Sequence, residues 1–163
     1  MDDESKNLIK AWINLADKES PHLSTSREDV YFRFMALWVG LNAFLTREYK
    51  HIRGDREKVR AFANESSSAL LHREKLSDSI YSKAVEDLKK LGVKDMQNTN
   101  RVYRINSSEC FTEVMECVYQ VRCNLFHGDK SIDDERDNKL VKAAHTIVAA
   151  HLKAKINRGL NEH

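Results

Sequence analysis

The sequence is most apolar in the stretch Phe34-Met-Ala-Leu-Trp-Val-Gly-Leu-Asn-Ala-Phe-Leu45. Large side chains recur there every three or four positions, which is the spacing of one helix face. Those of the main stripe are Val30, Phe34, Leu37, Trp38, Leu41, Phe44 and Leu45, and those on other sides are Phe32, Met35 and Val39. The pattern predicts a helix from about Arg27 to Tyr49 that lies at the centre of a bundle or in an oligomer interface. We interpret Asn42 as a hydrogen-bonded core amide.

Weaker apolar patterns predict further helices on both sides of this one. The first runs from about Glu4 to Lys18, where Leu8, Trp12 and Leu15 form one stripe that Ile9 and Ala16 widen. The others are a weak helix over Val59 to Leu71 and helices at about Leu76 to Gly92, 107–127 and 132–155. The last of these has the stripe Leu140, Val141, Ala144, Ile147, Val148 and Leu152. Capping boxes are expected at Ser26 with Asp29, Asn106 with Glu109, and Ser131 with Asp134. Only five glycines and one proline occur, too few for a sandwich or barrel. We therefore expect an all-α bundle of five to six helices, forming one domain over residues 1–163.

Composition bounds the class of protein. The formal net charge of +2 does not by itself indicate a nucleic-acid-binding protein, so any such binding must come from local clusters of cations. Cys110, Cys117 and Cys123 lack the close pairs of a zinc site and are interpreted as idle thiols. The acidic N-terminus has no apolar signal region, and no run approaches the roughly 18 apolar residues of a membrane span. We expect a cytoplasmic protein with no membrane contact, metal or cofactor.

A second distinctive stretch is Arg122-Cys-Asn-Leu-Phe-His-Gly128. A core stripe of Val114, Val118, Val121 and Leu125 leads into it. Arg122, Asn124 and His127 fall outside that stripe, and Gly128 can adopt the left-handed conformation that ends a helix. A strong base, an amide and an imidazole are therefore expected together at one helix end.

The stretch from Arg122 to Gly128 resembles the R-x4-H signature of the HEPN domains, small all-helical proteins of which many cut RNA. The apolar stretch from Phe34 to Leu45 is similar to the aromatic-rich early helix of that family, and the resemblance covers about residues 26–152. Cys123 departs from the polar residue that the family usually has there. A second R-x4-H match ends at His163, beyond the apolar pattern, and we treat it as a decoy.

The resemblance implies a metal-independent endoribonuclease, in the setting of a toxin or a phage-defence effector. The 2′-hydroxyl of RNA would attack the scissile phosphate, an imidazole would transfer protons, and an arginine would bind two phosphate oxygens. Arg122 and His127 are the candidates for these roles, and Asn124 could position the phosphate or the imidazole. Five positions on a helix give about 140° of rotation and about 7.5 Å of rise. One phosphate is then hard to reach from both side chains unless the helix ends between them or a second copy contributes, and the family is typically dimeric.

Two other segments are candidate RNA contacts. Arg101, Tyr103 and Arg104 combine charge with an aromatic ring on a connector predicted from Lys94 to Ile105, although an ordinary exposed loop has the same composition. The basic segment Lys50 to Arg60 is either a solvated face or a phosphate-binding rim. The expected partners are RNA, a second copy of the chain, and a cognate antitoxin or other protein. The alternatives are a non-catalytic HEPN module that binds RNA, a nucleotide or a protein, and a structural dimerisation domain.

Overall fold

The computed structural model describes residues 1–18, 26–98, 100–128 and 134–158, and within them the chain forms seven helices and one two-stranded sheet. These elements are α1 (Asp3–Asp17), α2 (Ser26–Glu48), α3 (Asp55–Asn64), α4 (Ser66–Lys75), α5 (Ser79–Leu91), β1 (Val93–Lys94), β2 (Val102–Tyr103), α6 (Phe111–Phe126) and α7 (Glu135–Arg158). The predicted all-α fold class is confirmed, with at least one helix more than the five or six expected. None of the helices in these ranges is long and apolar enough to cross a membrane.

Helices α2 and α7 hold the bundle together. Helix α2 packs mainly on α1 and α7, while α7 also contacts α1, α4, α5 and α6. The whole stripe predicted for α7 is buried, and so is that of α2 from Phe34 onward. At Gly40 a β-carbon would lie 3.2 Å from Trp12 Cβ and 3.3 Å from Leu152 Cδ2, so the absence of a side chain there allows α1, α2 and α7 to approach closely. Phe32 and Met35 remain 40% and 41% exposed, which leaves an apolar area on the outer side of α2.

The predicted core stripe of α1 is partly wrong. Ile9 and Ala16, which were expected to widen the stripe, are buried together with Ile13, and Trp12 packs against the core. Leu8 and Leu15 are instead exposed. Apolar residues occupy both neighbouring arcs of this helix, so periodicity alone does not choose between them.

The weak third helix of the prediction is two helices, broken at Glu65. Its backbone is extended there, with φ −60° and ψ 134°. The Glu65 carboxylate accepts hydrogen bonds from the Tyr49 hydroxyl and from the Lys155 ammonium, which lie on different parts of the bundle. Because these partners fix the direction of Glu65, the chain turns between α3 and α4.

The connector predicted from Lys94 to Ile105 contains a short antiparallel hairpin. Val93 pairs with Tyr103 and Lys94 with Val102. Strands of two residues are too short to produce an alternating pattern, so the sequence gives no signal for them. Gly92 ends α5 as predicted, with φ +61°.

The start of α6 differs from the predicted capping box. Glu113, rather than Glu109, accepts the backbone N–H groups of Asn106 at 2.7 Å and Ser107 at 3.1 Å. The N-cap residue is Cys110, whose side chain forms no capping bond. At α7, Asp134 Oδ1 accepts the N–H of Asp137 at 2.8 Å. The expected roles of Ser131, and of the Ser26 side chain at α2, lie outside the described residues.

Candidate functional site

Helix α6 ends where the sequence predicts. The backbone N–H of His127 donates to the carbonyl of Cys123 at 3.0 Å, and that of Gly128 donates to Leu125 at 3.1 Å. Gly128 has φ +77°, a conformation that a side chain would strain. The last turn therefore presents His127 as the exposed C-cap residue of the helix.

Arg122 is held by aromatic rings. Its guanidinium carbon lies 4.8 Å from the ring centre of Phe126 and 5.8 Å from those of Trp38 and Tyr119. One guanidinium nitrogen also lies 3.9 Å from the Cys123 sulfur. In the described part of the chain Arg122 forms no ion pair, and its buried Nε–H has no hydrogen-bond partner. The cation is thus supported by ring faces and keeps donors that an anion could accept.

Arginine and aromatic side chains continue from Arg122 in an alternating series. We call it the arginine–aromatic row, and its members in order are Arg101, Tyr103, Arg56, Tyr119, Arg122 and Phe126. Successive guanidinium-to-ring distances along it are 4.8, 4.8, 4.6, 5.8 and 4.8 Å. Two of the predicted RNA-binding residues, Arg101 and Tyr103, are therefore connected to the Arg122 site. Arg104 is exposed and lies outside the row.

Arg56 is a site residue that the sequence placed only within a basic segment. It pairs with Glu116 on α6 and donates to Gln120 Oε1 at 3.0 Å. Arg60 binds the other oxygen of the same carboxylate. Two of the cations from Lys50 to Arg60 thus share one carboxylate of α6, while Lys50 and Arg53 are exposed. The sequence signal for this pair was the i, i+4 spacing of Arg56 and Arg60. This spacing places both side chains on one face of α3, where they meet one acidic residue of α6.

Asn124 has a structural position in the site. Its side chain is 2% exposed, and Nδ2 donates to the carbonyl of Lys94 at 2.7 Å. Its Oδ1 accepts Gln120 Nε2 at 2.9 Å and the backbone N–H of Met96 at 3.3 Å. The amide thus fastens the hairpin to α6 and makes no direct contact with His127 among these bonds, so whether Asn124 positions a phosphate or the imidazole stays a prediction. No side-chain pattern in the sequence indicates that partner.

His127 contacts the turn of the same hairpin. Gln97 Nε2 lies 2.6 Å from His127 Nδ1, and both side chains are exposed. His127 and Arg122 have different neighbours, and among the described residues no hydrogen bond joins them. The structure therefore places the two motif residues on one helix end without bringing them together.

A second group of histidines lies in the core. His72 Nε2 is 2.7 Å from the carbonyl of Ser108, which can only accept, so this nitrogen carries the proton. Its Nδ1 then accepts the Tyr81 hydroxyl at 2.7 Å, and the Tyr81 oxygen accepts His151 Nε2–H at 2.9 Å. Phe111 stacks on both imidazoles, with ring centres 4.8 Å from His72 and 4.1 Å from His151, and the two imidazole centres are 6.3 Å apart. We call His72, Tyr81, His151 and Phe111 the buried histidine cluster.

Burial controls the ionisation of this cluster. Loss of solvation, followed by the neighbouring His72, lowers the pKa of His151 to about 3. The same loss of solvation lowers the pKa of His72 and raises that of Tyr81. The His151 side chain is only 1% exposed. Since these rings stay neutral and inaccessible, the cluster is suited to holding the core together.

His145 is the remaining histidine of α7. Burial, together with the positive charge of Arg33, lowers its pKa to about 4. A small cavity beside it is lined by Val30, Arg33, Lys142 and Thr146. Among the described residues, no three His, Cys, Asp or Glu side chains group together as metal ligands would.

Comparison with known proteins adds no assignment to this geometry. A scan against protein-family models and searches of curated proteins and solved structures find no match to the chain. The interpretation of the site therefore depends on the residues and contacts described above.

Proposed function

We propose that the protein is a metal-independent endoribonuclease whose reacting groups are Arg122 and His127. The observation that carries the proposal is an arginine that forms no ion pair with any other described residue, is contacted by aromatic rings, and lies one turn before an exposed histidine at a helix end. Such an arginine can donate hydrogen bonds to a phosphate without first losing a carboxylate among those residues. The resemblance of the same residues to the HEPN motif supports this choice.

The reaction requires only proton transfers and charge stabilisation. The 2′-oxygen forms a bond to phosphorus as its proton leaves, and the bond from phosphorus to the 5′-oxygen breaks as that oxygen gains a proton. His127 serves one or both proton transfers, since imidazole exchanges protons near neutral pH. Arg122 stabilises the charge that develops on the phosphate oxygens.

The complete site is proposed to need two copies of the chain. Arg122 points toward rings of its own subunit and His127 toward Gln97, so a second subunit can supply the group that one copy cannot place. Phe32, Met35 and Phe126 are each about 40% exposed, and Met35 lies one turn before Trp38, which contacts Arg122. Apolar area beside the motif is suited to a two-fold interface. Light scattering at micromolar concentration should give a dimer, and a monomer would contradict this part of the proposal.

Incubation of the purified protein with total RNA, with and without a chelator, tests the activity. We expect cleavage in both samples, with 2′,3′-cyclic phosphate and 5′-hydroxyl ends. RNA that remains intact at every pH from about 6 to 8, across the range in which imidazole titrates, overturns the proposal. Arg122→Lys should cleave RNA little better than Arg122→Ala, because lysine lacks the planar guanidinium that can bind two phosphate oxygens.

A non-catalytic RNA-binding module is the second candidate. The arginine–aromatic row favours it, because charge and stacking suffice to bind unpaired RNA without any chemistry. Cys123, the departure from the family motif, lies against Arg122. If the parent protein binds RNA without cutting it and Cys123→Asn cuts, the chain is a binding-only member with a degenerate motif.

A further inference from the structure

The contact between Gln97 and His127 determines which ring nitrogen faces outward. Gln97 Nε2 can only donate, so His127 Nδ1 accepts this 2.6 Å hydrogen bond. A neutral imidazole that accepts at Nδ1 carries its proton on Nε2. The ring nitrogen of His127 that Gln97 leaves uncovered is therefore Nε2.

The turn that carries Gln97 is built to hold it there. Asp95 Oδ1 accepts the backbone N–H groups of Gln97 at 3.1 Å and Asn98 at 3.3 Å, an Asx-type turn. The Asp95 N–H donates to the carbonyl of Arg101 at 2.9 Å, which closes the turn. Asn124, buried on α6, accepts the N–H of Met96 and so fixes the turn over the end of the helix.

We propose that Gln97 is the positioning residue of His127, holding Nδ1 so that Nε2 is presented to the scissile phosphate. The inference depends on the proposed nuclease activity for its catalytic meaning, but the contact itself can be measured without RNA. Rotation of the Gln97 amide by 180° would offer its oxygen to Nδ1–H of the protonated ring. One side chain can thus support His127 in both protonation states, as a group that takes and returns a proton requires.

The decisive experiment reads the tautomer of His127 in the full-length protein. Nitrogen-15 ring shifts, recorded at a pH where the imidazole is neutral and assigned with His127→Ala, distinguish Nε2–H from Nδ1–H. The parent should show Nε2–H. Gln97→Glu places an acceptor-only carboxylate at Nδ1, so the major tautomer should reverse to Nδ1–H.

The matched control is Asn98→Asp, which adds the same charge one residue away on the same turn. It should leave the parent tautomer unchanged. If Gln97→Glu retains Nε2–H, or if Asn98→Asp reverses the tautomer equally well, Gln97 does not position His127.

Cleavage kinetics give the catalytic consequence. Gln97→Leu should lower kcat by about 10-fold or more with little change in KM, because a misplaced reacting group can cost up to about 10²-fold. An unchanged kcat overturns the positioning role. If the parent does not cut RNA, the nuclease proposal fails, while the tautomer measurement still decides whether Gln97 directs the ring.

Discussion

The buried histidine cluster and the end of α6 use the same side chain in opposite surroundings. His151 stacks on Phe111 at 4.1 Å and is 1% exposed, whereas His127 is exposed and its ring is hydrogen-bonded to the amide of Gln97. In the cluster, each hydrogen bond has a single allowed direction, because His151 donates to Tyr81, Tyr81 donates to His72, and His72 donates to the Ser108 carbonyl. At the helix end, the amide can present either its nitrogen or its oxygen. Burial thus keeps the His151 ring neutral and makes it part of the packed core, whereas the His127 ring stays accessible at the surface.

Replacing each histidine by alanine should separate the two roles most clearly. His151→Ala should lower the free energy of unfolding by about 3–5 kcal/mol, the range for removing a packed aromatic ring. His127→Ala should change it by no more than about 0.5 kcal/mol, as expected at an exposed position. Urea unfolding followed by circular dichroism measures both. Similar losses in the two variants would remove the distinction.

RNA cleavage, unlike stability, should depend strongly on His127. His127→Ala should cut at a rate about 10²-fold or more below the parent, equivalent to about 2.7 kcal/mol of barrier, because a proton-transfer group is lost. RNA binding should persist, since the row does not include this ring. His163→Ala, at the second R-x4-H match and outside the described residues, is the control and should cut normally. A full rate in His127→Ala would mean that the histidine has no part in the chemistry.

Acid should destabilise the protein through the cluster. The unfolded chain protonates His151 near its ordinary pKa of about 6.5, but the folded ring resists protonation until its pKa of about 3. This contribution to stability is therefore complete above pH 6.5 and is lost as the pH falls toward 3. Between pH 7 and pH 5 the loss from His151 is about 2 kcal/mol.

Urea unfolding at the two pH values measures that loss, and the comparison with His151→Phe isolates it. The variant keeps an aromatic ring but cannot titrate, so its pH dependence should be weaker by about the same 2 kcal/mol. His145, with its pKa lowered to about 4, contributes to the parent and the variant alike. Replacing the exposed His51 by glutamine should have no such effect. An equal pH dependence in the parent and His151→Phe would contradict the buried, neutral assignment.

The sequence predicts the parts of this molecule that depend on local order. The stripes of α2 and α7 and the helix stop at Gly128 follow from residue spacing and from one backbone preference. The inward face of α1 does not, because apolar residues occupy two neighbouring arcs of that helix and its packing on α2 and α7 selects one of them. The break at Glu65 likewise depends on Tyr49 and Lys155, which are remote in sequence.

The same division applies to the candidate site. Arg122, His127, Arg101 and Tyr103 stand out by residue type, and the structure links three of them through Arg56 and Tyr119. The contact of Gln97 with His127 and the buried role of Asn124 could not be predicted, because both depend on how the hairpin of β1 and β2 folds over α6. Polar residues without periodicity carry no information about their partners until the fold brings them together.

The smallest effect should come from the outer end of the arginine–aromatic row. Arg101→Lys keeps the positive charge but loses the flat guanidinium that lies 4.8 Å from the Tyr103 ring. In the proposed complex, the other face of this guanidinium would stack on an unpaired base. A stacked cation of this kind contributes about 0.5–1 kcal/mol at an exposed position, so binding of single-stranded RNA should weaken by about two- to five-fold. The salt dependence of binding should stay the same, because the number of cations that meet phosphates is unchanged. Arg104→Lys makes the same replacement three residues away, outside the row, and should leave the affinity unaltered. If Arg101→Lys leaves the affinity as unaltered as Arg104→Lys does, the row contributes charge without stacking, and RNA is held at this end of the molecule by its phosphates alone.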